Sequence, residues 1–86
     1  MIVGITKTFL KDAEKFSDKE KILEAVRDLR KLKTLSESVN LRKMTGTKNK
    51  YRMRLGKYRI ALTWNKNKQE LIAERVALRK DIYKKS

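Results

Sequence analysis

Residues 50–64, KYRMRLGKYRIALTW, constrain this chain more than any other stretch. From Tyr51 to Leu55 apolar and charged residues alternate strictly. An extended strand therefore sends Tyr51, Met53 and Leu55 to one face and Arg52 and Arg54 to the other. After Gly56-Lys57 the alternation resumes, with Tyr58, Ile60, Leu62 and Trp64 in an apolar row and Arg59, Ala61 and Thr63 opposite. Two β-rich runs joined by a two-residue link containing glycine predict an antiparallel hairpin. One of its faces suits a core. The other carries three guanidinium groups at close quarters.

Charged residues on an exposed sheet face are common, and a solvated face is the plain reading of those arginines. The distribution of charge argues for more. Ten cations lie between Ser38 and Gln69 (Arg42, Lys43, Lys48, Lys50, Arg52, Arg54, Lys57, Arg59, Lys66 and Lys68), and no acid accompanies them. Nine cations meet seven acids before Ser38, and five meet three after Gln69, so the net charge of +14 divides as +2, +10 and +2. A surface built for solubility intersperses both signs, whereas a single-sign field around one hairpin suits a polyanion.

The chain has 86 residues, which predicts a single domain over 1–86 with an economical core. Cysteine and histidine are both absent, which excludes disulfides, thiolate chemistry, a zinc site and histidine-based catalysis. The carboxylates are scattered on helical surfaces, which argues against a metal-dependent nuclease. No apolar run approaches the roughly 20 residues of a membrane span, and no signal-peptide pattern opens the chain, so a cytoplasmic protein is expected.

Taken in order, Met1 to Thr6 predicts a first strand, in which Gly4 suggests an edge position or close helix packing. Thr6 is placed to cap a helix whose apolar stripe is Phe9, Ala13 and Phe16. Ser17-Asp18-Lys19-Glu20 fits a capping box with Ser17 as the cap. It opens a longer helix with Ile22, Val26, Leu29 and Lys33 down one line, widened by Leu23, Ala25 and Leu32. Leu35 to Lys50 is the least regular stretch; Leu41 and Met44 can pack, and Thr45-Gly46-Thr47 with Asn49 signals a loop. Asn65 to Lys68 is a turn, Glu70 to Val76 the last strand, and the segment from Leu78 either one helical turn or an irregular tail. If helical, it sets Arg79 and Tyr83 four apart on one face. The expected fold is α+β: a strand, a two-helix hairpin, then an antiparallel three- to four-stranded twisted sheet with helices on one face and a short C-terminal helical turn.

A site that cuts RNA must bind the phosphate, stabilise charge on its oxygens and move protons. Arg59, with Arg52 and Arg54, can supply the first two. With no histidine and no nearby acid in sequence, proton transfer falls to Lys, Arg or Tyr, and arginine is a poor base because its pKa stays above about 12. Tyr83 is either a proton carrier or a packing aromatic. These residues are compatible with a binder and with a metal-independent nuclease alike.

The run Tyr51-Arg52-Met53-Arg54-Leu55-Gly56-Lys57-Tyr58-Arg59-Ile60, followed about twenty residues on by Arg79-Lys80-Asp81-Ile82-Tyr83, resembles the RelE/ParE toxin superfamily. Leu41 to Gly46 resembles the segment that precedes the hairpin there, so the resemblance covers nearly the whole chain. It implies a RelE-like fold and, for the RelE branch, a toxin of a toxin–antitoxin pair that cleaves mRNA in the ribosomal A site without a cofactor or metal. The reaction is attack of the ribose 2′-hydroxyl on the adjacent phosphate. By this resemblance Arg59 stabilises the phosphate, Arg79 assists the leaving group, and Tyr83 orients the substrate or stacks on it. Arg52 and Arg54 stand where some members carry two lysines, and the acid-free charge around the hairpin makes Arg42, Lys43, Lys48, Lys50 and Lys57 the residues expected to bind RNA or the ribosome. The implied partners are an acidic antitoxin, the ribosome and mRNA. Two alternatives stand beside this one: a ParE-like inhibitor of DNA gyrase, and a non-catalytic RNA-binding module in which Tyr51 or Tyr58 stacks on bases. Tyr58 has the apolar parity, which favours a core role for it.

Overall fold

The computed structural model of the protein describes residues 1–38 and 40–82. The order is β1 (Ile2–Ile5), α1 (Lys7–Glu14), α2 (Lys19–Asp28), β2 (Leu41–Lys43), β3 (Lys50–Leu55), β4 (Tyr58–Asn65), β5 (Glu70–Leu78) and α3 (Arg79–Ile82). Two single 3-10 turns, Leu29–Lys31 and Leu35–Glu37, lie between α2 and β2. The sheet runs β1-β5-β4-β3-β2. Its last four strands in chain order pair antiparallel, and β1 joins β5 in parallel at the far edge. The architecture is α+β, with the core closed between the helices and one face of the sheet.

The hairpin forms as its alternation requires. Leu55 pairs with Tyr58, leaving Gly56-Lys57 as the loop, and Gly56 takes φ +56° at the first loop position. A side chain rarely adopts that conformation, which explains the glycine. Met53, Tyr58, Ile60 and Leu62 are buried against Phe9, Ala13, Ile22, Val26 and Leu29 from the helical layer. Tyr58 has the core role its parity indicates: its ring meets Phe16 edge-on at 4.9 Å, and its hydroxyl donates to Asp18 Oδ2 at 2.8 Å. Burial and this carboxylate both push the Tyr58 hydroxyl above its ordinary pKa.

Thr6 caps α1 through a bond from the Phe9 amide to its Oγ1 at 3.0 Å. The capping box expected at Ser17 does not form. The second helix takes Asp18 as its N-cap, without a side-chain cap bond, and the Asp18 carboxylate accepts from the Tyr58 hydroxyl. That helix is also shorter than its apolar line suggests. It tightens into a 3-10 turn at Leu29 and leaves Lys33 exposed beyond its end. Gly4 lies on the edge strand as expected; its close neighbour is the Glu70 side chain, not a helix.

Two differences reshape the sheet. The irregular stretch after Leu35 contains β2, whose Leu41, Arg42 and Lys43 pair with Met53, Arg52 and Tyr51. The last strand runs on to Leu78 and contains a bulge where the register shifts opposite Ala61 and Leu62. Past Ile5 the first strand no longer covers β5. There the Val76 amide donates to Asp12 Oδ2 at 3.2 Å, and Arg75 Nε donates to the same oxygen at 2.8 Å. The buried Asp12 thus supplies from α1 the acceptor that an edge strand would have provided.

Candidate nucleic-acid interface

The sheet face turned away from the helices gathers the arginines. Cross-strand register sets Arg42 opposite Arg52 and Arg54 opposite Arg59. At the end of β5 the chain turns into α3, and the Arg79 amide donates to the Lys57 carbonyl at 2.8 Å, which ties Arg79 to the hairpin loop. The result is an open cleft of about 360 Å³ lined by Arg42, Lys43, Arg52, Arg54, Arg59 and Arg79, with Asn40, Met44 and Thr45 completing its rim.

The arginines are held differently. Arg59 is only 6% exposed, and its Nη1 donates to the carbonyls of Gly56 and Tyr58, both at 2.7 Å. The turn therefore fixes that guanidinium before any ligand arrives. Arg52 reaches Met44 Sδ at 4.0 Å from Nη2, while Arg54 is exposed and its amide donates to the Asn40 carbonyl at 2.9 Å. Among the described residues no carboxylate lines the cleft. Like charges placed directly opposite on a ladder destabilise it, so two such pairs side by side favour a bound anion.

Of the residues that the sequence singles out, Arg42, Lys43, Arg52, Arg54, Arg59 and Arg79 come together in this cleft. The lysines divide. Lys57 lines a shallower hollow with Arg59, Arg79 and Lys80, its Nζ 5.5 Å from the Tyr58 ring centroid. Lys48 is exposed in the β2–β3 loop, outside the cleft lining. Lys50 donates to Thr63 Oγ1 at 2.8 Å and pairs with Glu74 at 3.4 Å, and Thr63 in turn donates to Glu74. Tyr83 lies outside the described residues.

Two features escape a reading of the sequence. Glu74 belongs to a strand outside the acid-free stretch, yet pairing of β4 with β5 brings its carboxylate onto the cationic face. The Asp12–Arg75 contact spans 63 residues, and no local pattern announces it. The signal for Glu74 was the alternation of β5 itself, which puts Leu71 and Ala73 in the core and the residue after them on the arginine side.

No family model and no curated protein matches the chain. Among solved structures it is similar to a chain of the RelB-RelE antitoxin-toxin complex from Methanococcus jannaschii, at 28% identity and TM-score 0.76 over 95% of this chain and 96% of that one. It is also similar to a chain of the archaeal RelE-RelB complex from Pyrococcus horikoshii, at 24% identity and TM-score 0.72, covering 93% and 96% of the two chains. The isolated E. coli RelE toxin aligns with TM-score 0.69 at 16% identity, covering 98% of this chain and 92% of that one, a likeness of fold. Among the described residues no helix is long and apolar enough to cross a membrane.

Proposed function

We propose that this chain, which has the fold of the RelE toxins, is the toxin of a toxin–antitoxin pair that cleaves mRNA in the ribosomal A site. The observation that carries this reading is the cleft, in which six cations from β2, β3, β4 and α3 converge with Arg59 locked by its own turn.

In the proposed reaction a ribose 2′-oxygen attacks the adjacent phosphorus and the 5′-oxygen departs, with no metal required. Charge builds on the phosphate oxygens, and preorganised donors stabilise it without having to reorient. Arg59 is assigned that role because its guanidinium is fixed and nearly buried. Arg52 and Arg54 hold the flanking charge, Arg79 stands at the leaving-group side, and Arg42 and Lys43 grip the neighbouring backbone. Tyr83 is assigned to orient the substrate. The acidic antitoxin is proposed to mask this same cationic face, where charge complementarity favours it. The RelB-RelE complexes are consistent with such a partner.

Primer extension on mRNA after induction, with and without ribosomes, tests the proposal. Cuts confined to ribosome-bound mRNA at A-site positions are expected. Intact mRNA accompanied by supercoiling defects would select a gyrase inhibitor instead, and intact mRNA with simple RNA retention a binding module.

A further inference from the structure

We propose that the hollow beside the hairpin loop is a second phosphate subsite, holding a phosphate that adjoins the cleft-bound one on the same RNA strand, an assignment that rests on the reading of the arginine cleft as an RNA site. The hollow has a volume of about 420 Å³ and is lined by Gly56, Lys57, Arg59, Leu78, Arg79 and Lys80. Four of those six residues are cations, and no carboxylate is among them. Asp81, the next residue but one after Arg79, stays outside the lining.

Strand pairing builds this hollow. Tyr58 pairs with Leu78, so Lys57, just before β4, and Arg79, just after β5, are brought together where the two strands meet. The Arg79 amide donates to the Lys57 carbonyl at 2.8 Å, which fixes the two segments against each other. Lys57 Nζ lies 5.5 Å from the ring centroid of the buried Tyr58. Among the described residues Lys57, Arg79 and Lys80 form no ion pair, whereas Lys50 at the other end of the hairpin is drawn to Glu74. Like charges that the backbone holds together, with no acid of their own, favour an anion from outside.

Continuity with the cleft identifies the anion. Arg59 and Arg79 line both the cleft and the hollow, so the two make one cationic track that leaves the sheet face beside the hairpin loop. Arg59 marks the boundary, since its Nη1 bonds the carbonyl of Gly56, a residue of the hollow. A strand with one phosphate in the cleft carries its next phosphate one nucleotide along that track. Lys57 and Lys80, both exposed, suit it, because a lysine meets a phosphate as a point charge on a flexible stem and follows a backbone of variable path. Half-buried Leu78 offers apolar surface beside them, on which a sugar can rest and which reads no base edge. The subsite therefore adds affinity without sequence preference.

The test compares equilibrium binding of an RNA dinucleotide, with one phosphate, and an RNA trinucleotide, with two, both lacking terminal phosphates. The unaltered protein is expected to bind the trinucleotide about fivefold more tightly at 0.1 M salt, the effect of one further neutralised phosphate at a slope of about 0.7. A variant carrying Lys57→Ala and Lys80→Ala is expected to bind the two equally, with its affinity for the dinucleotide kept. Lys66→Ala with Lys68→Ala removes the same charge from the β4–β5 turn, at the opposite end of the sheet, and is expected to keep the fivefold gain. The subsite is overturned if the unaltered protein shows no gain, if the Lys57/Lys80 variant keeps it, or if the Lys66/Lys68 variant loses it too, which would trace the gain to net charge. Each of these outcomes leaves the mRNA-cleaving reading to be decided separately, by primer extension on ribosomal mRNA.

Discussion

Arg54 and Arg59 stand directly opposite each other across the β3–β4 ladder, one exposed and the other almost fully covered. The covered member is held by the carbonyl oxygens of Gly56 and Tyr58, so the Arg59 guanidinium does not have the usual option of turning away. Strand pairing thus works against charge repulsion. A ligand that neutralises both should stabilise the fold as well as bind.

Arg54→Ala is predicted to leave the melting temperature unchanged or to raise it, since it removes a like-charge repulsion across the ladder. Inorganic phosphate or a short RNA should raise the melting temperature of the unaltered protein, by about 2.7 kcal/mol of stability at one hundred times its dissociation constant. Thermal unfolding with and without phosphate checks both. The increment should shrink in Arg54→Ala.

Binding of single-stranded RNA should weaken steeply with salt. If each of the six cations lining the cleft neutralises one phosphate, log K against log salt has a slope of about −4. Arg42→Ala should make the slope shallower by about 0.7, with little change in sequence preference. Filter binding at four or five salt concentrations measures it.

Asp12→Ala should cost about 1–3 kcal/mol, because it leaves the buried Val76 amide without its acceptor. Arg75→Ala should cost less, below about 1 kcal/mol, since that side chain is 48% exposed and its ion pair is screened by solvent. Denaturant titration of the two variants orders them. Equal losses would mean that the ion pair, not the amide, is what Asp12 secures.

Stability should also fall in alkali through Tyr58. Its folded pKa is raised above the ordinary value of 10.0, so the unfolded chain loses this proton first. The contribution is fully present below pH 10 and is lost as the pH rises through the folded value. The diagnostic quantity is the difference from Tyr58→Phe, which isolates this hydroxyl from everything else that changes in alkali. The stability gap between the two proteins should narrow above pH 10, measured by denaturant titration at a series of pH values.

The parts legible in the sequence are those set by local rules. Period-2 alternation and a glycine loop specify the hairpin, its register and the parity of Arg52, Arg54 and Tyr58, because a strand has two faces and no intermediate choice. The Thr6 cap is legible for a similar reason: its oxygen bonds an amide three residues on. What was hidden depends on partners distant in sequence. β2 is three residues long and exists because β3 is beside it. Asp18 stands at the cap position of α2 in place of Ser17, and its carboxylate is taken by Tyr58, forty residues away. The cationic site was visible as an acid-free run, but the division between Arg42, which enters the cleft, and Lys50, which pairs with Glu74, followed only from the order of strands.

In the proposed reaction the fixed guanidinium of Arg59 stabilises a phosphate as it reacts. Arg59→Ala, assayed by single-turnover cleavage of mRNA on programmed ribosomes alongside ribosome affinity, tests it most directly. A loss of about 10²–10³ in cleavage rate is expected with affinity largely kept, because five other cations still line the cleft. An Arg59→Ala protein that cuts at the unaltered rate, or that loses affinity and rate in equal measure, would contradict it.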